Sequence, residues 1–174
     1  LLGKTFGIIG YGNMGKAVAK RLSGFGVEVI FHDILPNLSD EFATQVSLEQ
    51  LQNRANILSL HIPLTAETHY LIDENFIAKM AKNFYFINTA RGKNLKTKSL
   101  VLAIESGKVL GACLDVLEYE KSSFENLEVE NQDLEFLLDS DKVIVTPHIA
   151  GWTEQSKIKL AQIIVDKILH HFHI

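Results

Sequence analysis

The sequence predicts an α/β protein built on one doubly wound parallel sheet. Two observations predict this class: short apolar runs alternate with amphipathic helical patterns along the chain, and a glycine-rich turn joins the first run to the first helix. Strands that alternate with helices form parallel sheets, because each helix returns the chain to the same end of the sheet. With 174 residues and 47% hydrophobic composition, the chain is long enough for a single domain with one core.

The predicted strands and helices follow one another in order. The apolar runs interpreted as buried strands are "TFGIIG", "VEVIFH", "NILSLHI", "FYFINT", "VLGACLDV" and "KVIVTP". Helical patterns begin near Met14, Ser47, Asp73, Thr97 and Thr153. The acidic stretch "EYEKSSFENLEVENQD", between the fifth and sixth runs, is interpreted as a solvated loop.

The stretch "GIIGYGNMGKAV" places three glycines between the first strand and the first helix. In such a turn Gly10 permits the tight bend, Gly12 lets the backbone approach a pyrophosphate, and Gly15 lets the helix pack closely on the strand. The helix N-terminus then faces the phosphates. Glycine turns are common, so this motif alone is weak and needs a second feature downstream.

An acidic residue at the end of the second strand supplies that feature and predicts a Rossmann-type dinucleotide-binding fold. Asp33 ends the run "VEVIFHD", about 20 residues beyond the glycines, where a carboxylate binds the hydroxyls of the adenosine ribose. The same carboxylate repels a 2′-phosphate, and the following "ILPN" offers no Arg or Lys to neutralise one. The sequence therefore predicts NAD in preference to NADP. The structural alternative is that Asp33 only caps a strand end.

Composition argues against several classes of partner. A net charge of -4 gives no electrostatic reason to expect nucleic acid or an anionic membrane. No apolar stretch is long enough to span a bilayer, and no signal peptide precedes the first strand. The single cysteine, Cys113, suits a cytoplasmic location, and its apolar run predicts a buried, inert thiol. The histidines of "LHHFHI" lack further ligands at metal-site spacing, so no metal is expected.

Side chains capable of chemistry follow several strands at their carboxyl ends, where open parallel sheets bind ligands. They are Asp33 after the second run, His61 and Pro63 after the third, Arg91 after the fourth, Asp115, Glu118 and Glu120 after the fifth, and His148 after the sixth. A guanidinium matches a carboxylate, and an imidazole next to a carboxylate transfers protons near neutral pH. We therefore expect a site at this edge, where a nicotinamide would lie, with His61 as a structural residue near the cofactor.

Five ordered motifs resemble one known family. "GYGNMG", "HIPLTAETHYLI", "FINTARG", "GACLDV" and "TPHIAG" are similar to the nucleotide-binding domain of the D-isomer-specific 2-hydroxyacid dehydrogenases, the family of D-3-phosphoglycerate dehydrogenase and glyoxylate/hydroxypyruvate reductase. The resemblance implies hydride transfer between NAD and a D-2-hydroxy acid or 2-keto acid, and a homodimer formed through this domain. An NAD-sensing, corepressor-like module is the alternative. Formate dehydrogenases of the family carry Gln at the position of Glu120, which argues against them.

The resemblance also implies roles for individual residues. It makes Arg91 the ligand of the substrate carboxylate, His148 the acid/base residue and Glu120 its carboxylate partner, with Glu118 as the alternative partner. The residues expected to bind the cofactor are Gly10, Gly12, Asn13, Met14, Gly15, Asp33, Ile62, Pro63, Thr89, Ala90, Arg91, Asp115, His148 and Gly151. Trp152, where a small residue is common, is interpreted either as a core residue or as a wall of the substrate pocket.

The family builds its substrate-binding domain from chain segments before and after the nucleotide-binding domain. Only a few residues precede Gly7, and the chain does not begin with Met. Residues 1–174 are therefore expected to form one NAD-binding domain, with the substrate-binding domain absent from this chain. Since that domain selects the side chain of the hydroxy acid, the sequence does not identify the substrate.

Overall fold

A computed structural model of the chain describes residues 1–120 and 131–172. The strands are β1 (Thr5–Ile9), β2 (Glu28–His32), β3 (Thr44–Gln45), β4 (Ile57–Leu60), β5 (Phe84–Asn88), β6 (Val109–Leu114) and β7 (Val143–Val145). The helices are α1 (Asn13–Leu22), α2 (Leu48–Arg54), α3 (Glu74–Lys79), α4 (Thr97–Glu105), α5 (Gln132–Asp139) and α6 (Glu154–Phe172). A single 3₁₀ turn covers Gly92–Asn94. Each predicted strand and helix is present, with starts shifted by at most a residue or two.

The strands form one seven-stranded sheet in the order β3-β2-β1-β4-β5-β6-β7. All neighbouring strands are parallel, and β1 lies at the point where the order reverses, with Gly7 beside Ile30 of β2 and Leu58 of β4. The predicted doubly wound, Rossmann-type sheet is thus confirmed. Ligands bind such sheets in the crevice at the carboxyl ends of the strands next to this reversal.

Two apolar clusters hold helices on opposite faces of the sheet. The larger cluster joins Leu58, Phe84 and Phe86 of the central strands to buried side chains of α2, α3, α4 and α5. The smaller cluster joins β1, β2 and β4 to Ala19 of α1. The connections through α2, α3, α4 and α5 all cross the sheet in the direction from β3 toward β7, whereas the connection through α1 runs from β1 to β2 in the opposite direction. Because such connections are right-handed, α2 to α5 lie on one face and α1 on the other.

In residues 1–120 and 131–172, no helix covers the face that carries α1 beyond β4, and this overturns the expectation of a buried thiol at Cys113. Ile87, Cys113 and Ile144 are neighbours across β5, β6 and β7. Cys113 is exposed, and Tyr85 and Ile144 are 53% and 63% exposed on the same strands. The apolar run around Cys113 correctly predicts a strand, but only one of its two faces is covered by a helix of the described residues.

The sequence interpretation missed the strand β3 and the helix α5, besides the 3₁₀ turn at Gly92–Asn94. The strand β3 has only two residues, too few for a periodic pattern. The helix α5 begins at Gln132, inside the acidic stretch for which the sequence predicts a solvated loop. That prediction is wrong for the last residues of the stretch. The side chain of Asn131 accepts hydrogen bonds from the N–H groups of Asp133 and Leu134 and so begins the helix, while Leu134 and Leu137 enter the core. Residues 121–130 of that stretch lie outside the described part of the chain.

The last helix, α6, contributes no buried residue. Its exposed apolar side chains are Ile158, Leu160, Ile163, Ile164, Val165, Ile168, Leu169 and Phe172. His170 and His171 lie in its last turn, and His173 lies outside the described residues. Within residues 1–120 and 131–172, no helix has the length and apolar character needed to cross a membrane.

Candidate active site at the carboxyl edge of the sheet

In the glycine turn after β1, two of the three glycines have no space for a side chain, and the third has space. Gly10 has φ of 90°, and a Cβ there would lie 2.5 Å from the carbonyl oxygen of His61. A Cβ on Gly15 would lie 2.2 Å from the carbonyl oxygen of Gly10, because α1 packs directly against the turn. A Cβ on Gly12 would meet nothing within 4 Å. The turn therefore needs glycine at 10 and 15, and at Gly12 it leaves room for a ligand.

The N-terminus of α1 opens onto this turn. Gly12 is its N-cap, no side chain caps the helix, and its first turn holds no acidic residue. Asn13 and Met14, the first residues of the helix, are exposed. Uncapped N–H groups and the positive end of the helix dipole form a site for an anion. These residues fit the pyrophosphate of a dinucleotide.

The carboxylate of Asp33 is tied to the same turn. Its Oδ2 accepts a hydrogen bond of 2.7 Å from the backbone N–H of Tyr11, and its Oδ1 accepts one of 2.9 Å from that of Leu35. These bonds fix the carboxylate at the end of β2 while leaving further lone pairs on both oxygens. Asp33 therefore links the glycine turn to the loop after β2, and its remaining lone pairs fit a ribose diol.

Residues after β4 complete the wall beside the turn. Burial lowers the pKa of His61 to about 4, and its Nε2 lies 3.0 Å from Oγ of Ser59. Ile62 packs against the main core and approaches Gly10. The exposed Pro63 accepts a 2.7 Å hydrogen bond at its carbonyl from the hydroxyl of Thr68. The expectation that His61 is a structural residue agrees with its burial.

A small cavity of about 280 Å³ lies between the ends of β5, β6 and β7. Its polar lining comes from Thr89, Asp115 and Thr146. Ala90 is buried in the core, so its side chain does not line this cavity, and its carbonyl accepts a 2.6 Å hydrogen bond from Nη1 of Arg91. The side chain of Arg91 is exposed after β5, and its remaining N–H groups are available to an anion.

Asp115 positions the loop that follows β7. It is only 4% exposed, and its Oδ1 accepts hydrogen bonds of 2.6 Å from the hydroxyl of Thr146 and 2.9 Å from the N–H of Ile149. Its Oδ2 accepts one of 2.9 Å from the N–H of Ala150. A buried carboxylate with three donors is well satisfied, so the loop around residue 148 is firmly held.

The imidazole of His148 meets the carboxylate of Glu120 in this loop. Nδ1 of His148 lies 2.9 Å from Oε2 of Glu120, and the two side chains are 40% and 10% exposed. The other carboxylate oxygen, Oε1, accepts a 2.5 Å hydrogen bond from the N–H of Leu117. Glu120 thus orients the ring through Nδ1 and leaves Nε2 free for a reacting group.

Glu118 points elsewhere, which settles the choice of carboxylate in contact with His148. Its Oε1 accepts a 2.5 Å hydrogen bond from the hydroxyl of Tyr70, and its Oε2 accepts one of 2.8 Å from the N–H of Thr97. The bond to Glu118 raises the pKa of Tyr70 to about 12. Glu118 therefore fastens the loop after β6 to the start of α4, and Glu120 is the residue beside the imidazole.

The end of the site is open. A Cβ on Gly151 would meet nothing within 4 Å. Trp152 is 72% exposed, with Nζ of Lys157 5.6 Å from its ring centroid, so the interpretation of Trp152 as a core residue is wrong. In the described part of the chain, no three His, Cys, Asp or Glu side chains group together as they would around a metal ion.

The sequence interpretation missed two residues that hold the site together. The hydroxyl of Thr146 donates to Asp115, and that of Tyr70 donates to Glu118. The position of Thr146 at the end of a strand, within "TPHIAG", was the available signal. For Tyr70 the sequence offered none, because its partner is 48 residues away.

The chain resembles known proteins over almost its whole length. The family model described as D-isomer specific 2-hydroxyacid dehydrogenase, NAD binding domain, matches residues 1–150. The chain is 39% identical over 172 residues to a glyoxylate reductase of Thermofilum pendens, covering 94% of this chain and 47% of that protein. It is 38% identical over 168 residues to a hydroxypyruvate reductase of Thermotoga maritima, covering 97% of this chain and 53% of that protein.

A solved structure agrees with these sequence matches. The D-isomer specific 2-hydroxyacid dehydrogenase of Lactobacillus delbrueckii ssp. bulgaricus, in its NAD-complexed form, superimposes with a TM-score of 0.87 at 35% identity, over 98% of this chain and 53% of that one. The chain spans about half the length of the relatives it matches. With the glycine turn, Asp33 and the uncapped helix in place, these matches show that the chain belongs to the D-isomer specific 2-hydroxyacid dehydrogenase family as its NAD-binding domain.

Proposed function

We propose that the complete protein transfers a hydride between NAD and a D-2-hydroxy acid or its 2-keto acid. One observation carries this proposal: Nδ1 of His148 lies 2.9 Å from Oε2 of Glu120, at the same sheet edge as the exposed guanidinium of Arg91. Binding of a dinucleotide alone does not require a paired imidazole and carboxylate beside a guanidinium, whereas proton transfer and binding of a carboxylate substrate do. The relatives named glyoxylate reductase and hydroxypyruvate reductase support the reaction class.

In the proposed mechanism, bound NAD supplies the acceptor for the hydride that leaves the hydroxyl-bearing carbon. As the hydride leaves, Nε2 of His148 takes the hydroxyl proton, so that the alcohol becomes a carbonyl. Glu120 holds the ring through Nδ1 and stabilises the positive charge that forms on it. In the reverse direction the protonated imidazole returns the same proton to the carbonyl oxygen.

Arg91 is proposed to bind the substrate carboxylate. Its planar fork makes two parallel hydrogen bonds to a carboxylate, which fixes the orientation of the adjacent carbon. Asp115, through its three hydrogen bonds to residues 146–150, is proposed to keep His148 in place while it lines the nicotinamide side of the cavity.

The remaining assignments concern the cofactor. We propose that Gly10, Gly12, Asn13, Met14 and Gly15 hold the pyrophosphate and that Asp33 holds the adenosine ribose, which favours NAD over NADP. The residues proposed to surround the rest of the cofactor are Ile62, Pro63, Thr89, Ala90, Arg91, Asp115, His148 and Gly151. The uncapped start of α1 and the fixed carboxylate of Asp33 support this arrangement.

Two uncovered apolar surfaces support proposals about the rest of the protein. A groove of about 800 Å³ lies on the bare face of the sheet, with Tyr85, Ile87, Cys113 and Ile144 in its lining. The apolar side chains of α6 are also exposed. Exposed apolar patches of this kind mark interfaces. We propose that these surfaces are covered in the complete protein by the substrate-binding domain and by a second copy of the protein in a homodimer. We also propose that the enzyme is cytoplasmic, as its single cysteine suggests.

The experiment that tests the proposed reaction uses His148→Ala in the full-length protein. The substitution removes proton transfer but no part of the dinucleotide turn, so we expect turnover to fall by about 10²–10⁴-fold while NADH affinity changes little. Steady-state rates with D- and L-2-hydroxy acids, together with fluorescence titration of NADH, provide the measurement. The control is His170→Ala, an exposed histidine in the last turn of α6. Undiminished turnover of His148→Ala would refute the assignment.

A further inference from the structure

The loop between β2 and β3 is fastened by one side chain from β3. The amide of Gln45 donates a 2.6 Å hydrogen bond to the carbonyl of Leu35 and accepts one of 2.9 Å from the N–H of Leu38. The backbone N–H of Gln45 donates to the hydroxyl of Ser39 at 2.9 Å. Gln45 therefore bonds to three residues of the loop, Leu35, Leu38 and Ser39. The loop starts at Asp33, so these bonds hold the segment that carries this carboxylate.

A second fastening comes from the glycine turn. The hydroxyl of Tyr11 donates a 2.8 Å hydrogen bond to Oδ1 of Asp40, which also accepts from the N–H groups of Phe42 and Ala43 at 2.9 and 3.1 Å. The ring of Tyr11 is buried and stacked on Phe31, with centroids 3.7 Å apart and planes inclined by 10°. Since the N–H of Tyr11 also bonds to Asp33, this one residue holds both ends of the loop.

We propose that Gln45 and Tyr11 are positioning residues for cofactor discrimination. By clamping residues 33–40 they keep the Asp33 carboxylate where the adenosine ribose binds, so that it cannot turn away from a 2′-phosphate. This inference rests on the proposed preference for NAD. It goes beyond that preference, because it assigns the strength of discrimination to two residues that do not themselves face the ribose.

The physical reason is that the Asp33 carboxylate discriminates against the 2′-phosphate of NADPH only if it is held close to that phosphate. A mobile loop would let the Asp33 carboxylate move into solvent, where water screens its charge from the phosphate. NADH would then bind more weakly, because its ribose would lose hydrogen bonds to Asp33. NADPH would bind more tightly, because the carboxylate would no longer repel its 2′-phosphate. Loosening the clamp should therefore change the two affinities in opposite directions, whereas general damage to the site would weaken both.

The test measures dissociation constants of NADH and NADPH for the chain by fluorescence titration or calorimetry. Gln45→Ala removes two side-chain hydrogen bonds to the loop and should reduce the preference for NADH about tenfold, which is less than their combined net free energy. Tyr11→Phe keeps the stacked ring and should reduce the preference by a smaller factor. The matched control is Gln50→Ala on α2, whose side chain accepts from the N–H of Ser47 outside the loop. It should leave the preference unchanged.

A double-substitution cycle sharpens the test. In an Asp33→Asn background no charged carboxylate remains, so adding Gln45→Ala should leave the NADH-to-NADPH ratio as it is. If Gln45→Ala and Tyr11→Phe leave the wild-type preference intact, the clamp is wrong while the NAD preference stands. If the wild-type chain binds NADPH as tightly as NADH, the proposed preference itself fails, and the clamp with it.

Discussion

At the scale of single residues, the site holds its acid/base candidate in an unusual backbone conformation. His148 has φ of 53°, in the left-handed region that non-glycine residues rarely adopt. This backbone conformation raises the free energy of the folded state by on the order of 1–3 kcal/mol, and it persists only where surrounding contacts hold it. Asp115 provides that constraint, because its carboxylate binds Thr146 before His148 and Ile149 and Ala150 after it. The bend directs the imidazole at Glu120.

Another histidine makes stability depend on pH. Burial lowers the pKa of His61 from 6.5 to about 4, so below pH 6.5 the unfolded chain binds a proton that the folded chain does not. Its contribution is present above pH 6.5 and is lost as pH falls toward 4. We expect His61→Asn to reduce the loss of unfolding free energy between neutral pH and about pH 4.5 by about 2 kcal/mol.

Urea unfolding at a series of pH values measures this dependence. His69→Asn, at an exposed histidine, serves as the control for the loss of an imidazole. Carboxylates whose folded pKa is lowered add to acid sensitivity in wild type and variants alike. One is Glu74, whose pKa is lowered by a hydrogen bond from its own backbone N–H and by its contacts with Ser99 and Lys96. An equal loss of stability in wild type and His61→Asn would show that His61 does not carry this dependence.

At the scale of elements, two strand-end turns touch through their backbones. A Cβ on Gly92, after β5, would lie 1.9 Å from the carbonyl oxygen of Leu117 and 2.7 Å from the nitrogen of Glu118, after β6. This contact places Arg91 and the segment that carries Glu120 side by side. Glycine is needed here for close approach alone, since Gly92 is not among the glycines with positive φ.

Substituting Gly92 by alanine should separate these two turns. The added methyl group meets backbone atoms, which cannot change rotamer, so Gly92→Ala is expected to destabilise the fold by about 1–3 kcal/mol. It should also displace Glu120, changing the NMR signals of the His148 ring. Gly24→Ala, where a Cβ would meet nothing within 4 Å, is the control. Wild-type stability and unchanged His148 signals would contradict the importance of this contact.

At the scale of the whole molecule, the sheet is unequally covered. Helices α2 to α5 cover one face, while on the other face α1 packs only on the smaller cluster. The open groove and the exposed side of α6 together leave a large apolar surface in contact with water. That asymmetry is expected for a domain whose stable environment includes other protein surfaces.

We propose that this domain binds the cofactor and that a second domain positions the substrate, and this predicts how the isolated chain behaves. It holds the glycine turn, Asp33 and the helix N-terminus, so calorimetry should detect NADH binding. Holding reactants in position contributes about 7–11 kcal/mol to catalysis, and the second wall of the cleft is proposed to lie in the substrate-binding domain. Oxidation of D-2-hydroxy acids should therefore be absent or very slow. Ordinary enzyme rates from the isolated chain would refute the proposed missing domain.

The sequence was most informative where local pattern and function coincide. Six apolar runs predicted six of the seven strands, because buried parallel strands are continuous apolar segments. The glycines at 10 and 15 predicted the tight turn between β1 and α1, and the structure leaves no room for a side chain at either position. The helix α5 was hidden because it has only eight residues and begins inside the acidic stretch, so its apolar residues are too close together to show a helical period.

The sequence by itself determined the fold class, the dinucleotide turn and the set of side chains at the carboxyl edge, because these depend on neighbours along the chain. Only the tertiary structure decided which carboxylate meets His148, that Cys113 and Trp152 are exposed, and that Gln45 and Tyr11 clamp the loop of Asp33. The contact of His148 with Glu120 spans 28 residues and that of Tyr11 with Asp40 spans 29. They depend on how strands and turns pack, and no local periodicity records that packing.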